Sequence, residues 1–400
     1  MNMPRLSSVI VAVVALGIGL SFIAKAQETP TPAAPAAEAI PEATADADVE
    51  AAETLPDADA TADAEPAIDA EPAVDTANAA PEGPHICFDP FDPVLTLGFG
   101  SRYTATSKSR SDFDAKSDAA VTAALKPIDK FITKLALEAN LALTLQGEDA
   151  TLAANCVLDR IAEWASADAL GTMETQGAKL SVPSRIGGIA TAYAIAKPLV
   201  VQTATPDARV AAIEPWLAKR AAESMAFFDT EAPPKASRNN LRAWAALAVA
   251  RVGLILQDEP MIAWADASVR LVACEANSDG SLPNEMWRGK LALHYQIHAV
   301  GPLVVTAALL EDRGADLFNA CDRAIPRAVS FVVAALEDPE LVVVHAGAPQ
   351  TATKAKLRAF ELAWATAYLK YIDDPAVAAL AGTFTPLSNS KYGGDQSLLW

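Results

Sequence analysis

The sequence predicts an all-α fold: antiparallel helix pairs curving into an incomplete (α/α) toroid around a central groove. Three observations predict it. The 400 residues are 52% apolar and only 20% charged, with abundant alanine, which favours helix. From His85 onward apolar residues recur at three- and four-residue spacing, the period of one helix face. Alternating strand patterns are nearly absent, Leu341–His345 being the best exception.

The first 26 residues read as a signal peptide. Arg5 gives a positive start, Val9 to Ala24 is a nearly unbroken apolar run, and Ala24-Lys25-Ala26 offers a small–x–small cleavage pattern before Gln27. The run is short for a comfortable membrane span, so membrane contact is expected only if the segment stays uncleaved. Residues 27–83 read as a disordered acidic Ala/Pro-rich linker. They hold fifteen acidic residues, eight prolines, no aromatic residue and no lysine or arginine. Such a chain cannot bury enough apolar surface to offset its ordering entropy. Of the net charge of −19, only −6 remains on residues 84–400, the expected folded domain.

In that domain a loop is expected from Ile86 to about Asp118. Helical periodicity then appears over Ile128–Leu145, Leu152–Leu170, Ile189–Leu199, Val210–Phe228, Leu241–Leu256, Pro260–Ala273, Arg288–Leu310, Ala324–Leu336 and Lys354–Tyr371. Asp, Ser or Pro precedes several of these runs, as helix starts require. Sequential helices with short connections stack as antiparallel pairs, and a curved array of pairs encloses a groove suited to a polymer chain.

The composition excludes several classes. No basic tract or zinc-finger spacing occurs, so nucleic acid is not an expected partner. Of the four histidines (His85, His294, His298, His345) only His294 and His298 have helical ligand spacing, without the Glu of an H-E-x-x-H motif, and no Gly-x-Ser-x-Gly elbow occurs. No metal or cofactor is therefore expected. What remains is a polar stripe: Arg288 and Tyr295, seven residues apart, with His298 three further on, would share one helix face. Spacing alone favours a solvated face with a core tyrosine. Asn240 and Trp244 lie one turn apart, as a helix start and a core tryptophan also would.

Several segments, in order, resemble the alginate lyases of polysaccharide lyase family 5, the periplasmic poly(mannuronate) lyases. Cys87-Phe88-Asp89-Pro90 is similar to the family's opening Cys-Asp-Pro-Pro. Ser101-Arg102-Tyr103, with Lys108 and Arg110 behind it, is similar to its lid segment. Asn155-Cys156-Val157-Leu158, Trp164 and Ala167-Asp168-Ala169-Leu170 resemble its second helix. Asn239-Asn240 with Trp244, then Leu282-Pro283-Asn284-Glu285 through Arg288 to Tyr295, and finally Gly393-Gly394-Asp395 complete the set. The resemblance spans most of Cys87 to Asp395 and is thin between Gly171 and Lys235.

The resemblance implies β-elimination on an anionic, uronate-containing polysaccharide, without a cofactor, in the periplasm. The C5 proton is weakly acidic until the neighbouring carboxylate is neutralised, and preorganised donors supply the largest part of that. Arg288 and Asn240 would take this role, and Tyr295 would remove the C5 proton and return one to O4. A phenol ordinarily titrates near pH ~10, so a base role calls for a cation at its oxygen. Arg102, Tyr103, Arg110, Trp244 and Lys391 would grip the polymer, Trp244 either stacking on a sugar or filling the core. Cys87 and Cys156 would form a disulfide, while Cys274 and Cys321 are left either as a second bridge or as buried thiols. The sequence departs at Leu241, where the family has a histidine, at Ala243 for a tyrosine, and at Arg102 for the lid lysine. Three readings follow: His298 supplies the imidazole, the substrate is a different acidic polysaccharide, or the protein is a catalytically degenerate binder or scaffold on the same fold.

Overall fold

In the computed structural model, residues 85–200 and 207–400 are described. The expected signal peptide and the expected linker lie outside them. The chain begins as an extended strap. Its Thr96–Leu97 pairs in parallel with Thr172–Met173, and Cys87–Cys156 bonds it to a helix. His85 pairs with the buried Glu138, whose carboxyl is pushed up by burial against the pull of that histidine. Trp164 donates its indole N–H to the Phe91 carbonyl at 3.1 Å and stacks on Phe131 at 4.1 Å.

Five long helices follow: α1 (Ala115–Thr144), α2 (Gly147–Ser166), α3 (Gln176–Val200), α4 (Ala208–Thr230) and α5 (Asn240–Leu256). Helix α1 starts thirteen residues before the periodicity at Ile128, and Pro127 sits inside it. Its buried stripe already runs through Val121 and Leu125 to Ile128, but with five alanines around it and Pro127 inside it the pattern is sparse. The cap is conventional: Asp114 accepts from the Ser117 N–H at 2.8 Å. Helices α4, α5 and α6 (Glu259–Ala273) are capped the same way by Asp207, Asn239 and Asp258.

Helix α5 is the axis of the packing, contacting α3, α4, α6 and α8. Its interior alternates alanine with larger apolar residues, and Ala243, Ala245, Ala246, Ala248 and Ala250 are all buried. Small side chains let neighbouring backbones approach, and Gly187 of α3 sits against Ala248.

The second half runs α7 (Pro283–Met286), α8 (Ala292–Glu311), α9 (Ala320–Glu337), α10 (Glu340–Ala346), α11 (Trp364–Tyr371) and α12 (Pro375–Ala381). The stretch Gly289–Glu311 is apolar and long enough to cross a membrane, yet 83% of its most apolar window is buried inside the domain. It is the core helix. Two expectations are corrected here. Leu341–His345 lies in helix α10, not in a strand; its run of β-branched residues is overridden by packing against α9. Arg288 is not helical, because a 3₁₀ turn at Gly289–Leu291 separates α7 from α8.

The C-terminal Ser388–Asn389 pairs antiparallel with Gly394–Asp395. Asn140 of α1 donates to the Gly393 carbonyl at 2.9 Å and accepts from the Asp395 N–H at 2.8 Å. Gly394 has φ +95°, and a Cβ there would lie 2.2 Å from Asn140 Oδ1, so only glycine fits. This clamp is what seats Lys391 and Tyr392 against α5. Cys274–Cys321 is also bonded, which resolves the open alternative in favour of a second bridge.

Candidate active site

Asn240 begins α5, Arg288 sits in the α7–α8 break, and Tyr295 lies on the first turn of α8. Arg288 and Tyr295 meet although they do not share a helix. The guanidinium carbon stands 3.5 Å from the Tyr295 ring centroid. It is free to fold back over the ring because the 3₁₀ turn, with Gly289 at φ +55°, reverses its direction.

Residues 101–114 close over this pair. Arg288 donates Nη2–H to the Tyr103 hydroxyl at 2.9 Å and to the Arg110 carbonyl at 2.7 Å, and Nε–H to the Ser109 carbonyl at 3.2 Å. The Tyr103 and Tyr295 hydroxyls are hydrogen-bonded to each other. Burial pushes the Tyr103 phenol far above its ordinary value, so it keeps its proton. Tyr103 also accepts from Arg288, and it can donate its retained proton to an ionised Tyr295 oxygen. Burial alone would lower the Arg288 guanidinium, but the Tyr295, Tyr103 and Glu285 oxygens outweigh it and hold it above the usual arginine value.

Glu285 was quoted in the sequence only as part of a matching segment; the structure gives it a function. It is fully buried and accepts from both the Asn240 backbone N–H, at 2.7 Å, and the Asn240 side-chain amide, at 2.9 Å. Burial pushes its carboxyl up to about 7, against those two donors and Arg288. One Asn240 N–H is thus committed, while its buried Oδ1 has no partner. A glutamate followed by Met286 and Trp287, three residues before a loop arginine, was the available signal.

A second group lies on the next turn of α8. The His298 ring is 6.3 Å from the Tyr295 ring and 5.2 Å from Trp244. Trp244 is 4% exposed and stacks flat on Tyr392 at 5.2 Å, so one face is filled by the protein, with the Lys391 ammonium 5.8 Å from its ring. His294, His298, Trp244, Glu361, Asn389 and Tyr392 line a cleft of about 30 Å³, room for a water but not for a sugar. Arg288, at 5% exposure, and Tyr295, at 8%, are likewise sealed, in their case by the loop.

Arg102, Arg110 and Leu241 behave differently from the rest. The Arg102 guanidinium is bound to Asp118 and Thr122 of α1, anchoring the loop. Arg110 points its carbonyl at Arg288 while the residue itself is exposed. Leu241 faces away from the site, packed on a small cluster of Phe227, Phe228 and Ala245. Among the described residues no three His, Cys, Asp or Glu side chains group as metal ligands.

A family model for alginate lyases matches residues 139–342. The chain is 32% identical to a polysaccharide lyase of Stenotrophomonas maltophilia over 298 residues, 74% of this chain and 85% of that one. It is 28% identical to an alginate lyase of Pseudomonas syringae pv. syringae over 309 residues, 75% of this chain and 78% of the other. Among solved structures, alginate lyase A1-III from Sphingomonas species A1 superposes with a TM-score of 0.64 at 23% identity, covering 78% of this chain and 85% of that one. The same lyase complexed with a tetrasaccharide gives 0.66. The fold is thus the helical toroid of those lyases. The chain belongs to the alginate lyase family.

Proposed function

We propose that this protein is a polysaccharide lyase that cleaves alginate by β-elimination, with Tyr295 at the reacting bond. The observation that carries the residue assignment is the Arg288–Tyr103–Tyr295 arrangement: a guanidinium against the Tyr295 ring and a protonated phenol directed at its oxygen. Both stabilise negative charge on that oxygen, which is what a phenolic base requires. In the reaction Tyr295 takes the C5 proton, the C–H electrons form the C4–C5 double bond, and the C4–O4 bond breaks. The phenol then returns its proton to the departing O4. Arg288 neutralises the C5 carboxylate with two parallel donors once the loop carbonyls have been displaced. Asn240, oriented by Glu285, assists with its second N–H. His298, one turn from Tyr295, supplies an imidazole in place of the family histidine that Leu241 replaces.

Opening of residues 101–114 is required, since these groups are sealed in the closed arrangement. Lys391 and Arg110 contribute positive charge for the polyanion, whereas Arg102 acts as an anchor. The two disulfides fit export to an oxidising compartment, here the periplasm.

A second reading, a binder on the same fold, is favoured by one observation: the side chain at 241 is apolar and packed away from the site. Incubation with polymannuronate and polyguluronate, followed by ultraviolet absorbance of the new double bond, separates the two. A rise that Tyr295→Phe abolishes supports the lyase. Polymer binding with no rise on either substrate supports the binder.

A further inference from the structure

The α3 and α5 helices meet again at the ends remote from the site. Asn240 and Arg251 lie on one helix, eleven residues or about 16 Å apart. There Ala194, Lys197, Pro198, Arg251, Leu254 and Ile255 line a cavity of about 330 Å³, within the usual size of a small-molecule pocket.

Its polar groups are mismatched with one another. The Lys197 ammonium is satisfied by Glu214 at 2.6 Å. Among the described residues Arg251 has neither a hydrogen-bond nor an ion-pair partner; the residue is half-buried, with its Nε closed off from solvent. Burial without a counter-charge pulls this guanidinium down to about 10. Leaving such a donor unmade is costly, and protein interiors rarely do so. A helix carbonyl of one lining residue also lacks its usual donor. Pro198 has no N–H to give the carbonyl four residues back, that of Ala194. Leu254, Ile255 and the Pro198 ring supply an apolar wall between the two.

We propose that this cavity is a second ligand site, taking a small sugar acid: its carboxylate on Arg251, a hydroxyl donating to the Ala194 carbonyl, and its C–H face on the apolar wall. A guanidinium fork prefers a carboxylate or phosphate. The neighbouring carbonyl selects a ligand that also donates, which a fully ionised small anion does less well. The 330 Å³ volume accommodates one or two pyranose rings but not a polymer.

The test uses the full chain carrying Tyr295→Phe, so that turnover cannot interfere, titrated calorimetrically with monomeric mannuronate, mannose and inorganic phosphate. Saturable mannuronate binding that weakens at least tenfold with Arg251→Met, with mannose silent and phosphate weaker, supports the site. Arg251→Gln serves if the Met variant melts early. Mannuronate binding unchanged by either substitution overturns the proposal, as does an absence of saturable binding or phosphate binding as tight as mannuronate. Elimination activity measured separately on Arg251→Met should remain at the unsubstituted level, so failure here and failure of the lyase reading are distinguishable.

Discussion

The Tyr103 hydroxyl accepts from Arg288 and is hydrogen-bonded to the Tyr295 hydroxyl, so it can donate to that oxygen once Tyr295 ionises. Tyr103→Phe should lower kcat about 10- to 100-fold while leaving the fold intact, because one preorganised donor is lost. Tyr295→Phe should cost about 10²–10⁴-fold or more, the contribution of a general acid–base group. Steady-state kinetics on polymannuronate check both. Glu285 gives a pH signature. Its folded carboxyl titrates at about 7 instead of 4.5, so it stabilises the fold most at low pH, and this contribution is lost as pH rises through 7. The stability of the unsubstituted chain relative to Glu285→Gln should accordingly fall between pH 5 and 8 in thermal melts. Ionised Glu285 holds both Asn240 donors, so activity should rise through the same window and the limb should vanish in Glu285→Gln. At this scale Arg288, Tyr295 and Asn240 were singled out through the resemblance, and the structure brings Arg288 and Tyr295 into contact. Glu285 was not, since it acts only through Asn240, and burial cannot be read from one residue.

Among the elements, the helix breaks were hardest to foresee. The run Arg288–Leu310 reads as one helix because its apolar spacing continues through a 3₁₀ turn, where i and i+3 contacts survive while the axis bends. The early part of α1 escaped because its stripe is thin there, Val121 and Leu125 standing among alanines ahead of Pro127. Helix α10 looked like a strand because three consecutive valines favour β structure when nothing packs on them. The Gly393-Gly394 turn was quoted for its resemblance alone; its physical content is the Asn140 clamp. Gly394→Ala should destabilise by roughly 1–3 kcal/mol, since it adds both a left-handed alanine and a collision. Urea unfolding measures this, and kcat should fall in parallel because Lys391 and Tyr392 ride on the turn.

Across the whole domain, the all-α class followed from periodicity and alanine content, whereas the long-range ties did not. The Cys87–Cys156 bridge joins the strap to α2 across 69 residues. Cys156→Ser should cost about 2–5 kcal/mol in reversible unfolding, with the loop carried by the strap becoming more susceptible to protease. That loop has a further meaning. In the closed arrangement the carbonyl oxygens of Ser109 and Arg110 occupy the Arg288 donors that, on the proposed mechanism, a uronate carboxylate would take. They are an internal decoy, two neutral oxygens that keep a buried cation satisfied until a charged competitor arrives. A polyanion exchanges a weak pair of acceptors for a strong one, while a neutral glycan gains nothing by prising the cover away. On that mechanism selection for charge would be exercised at the door as well as at the reacting bond, and affinity would carry the fraction of molecules whose door stands ajar.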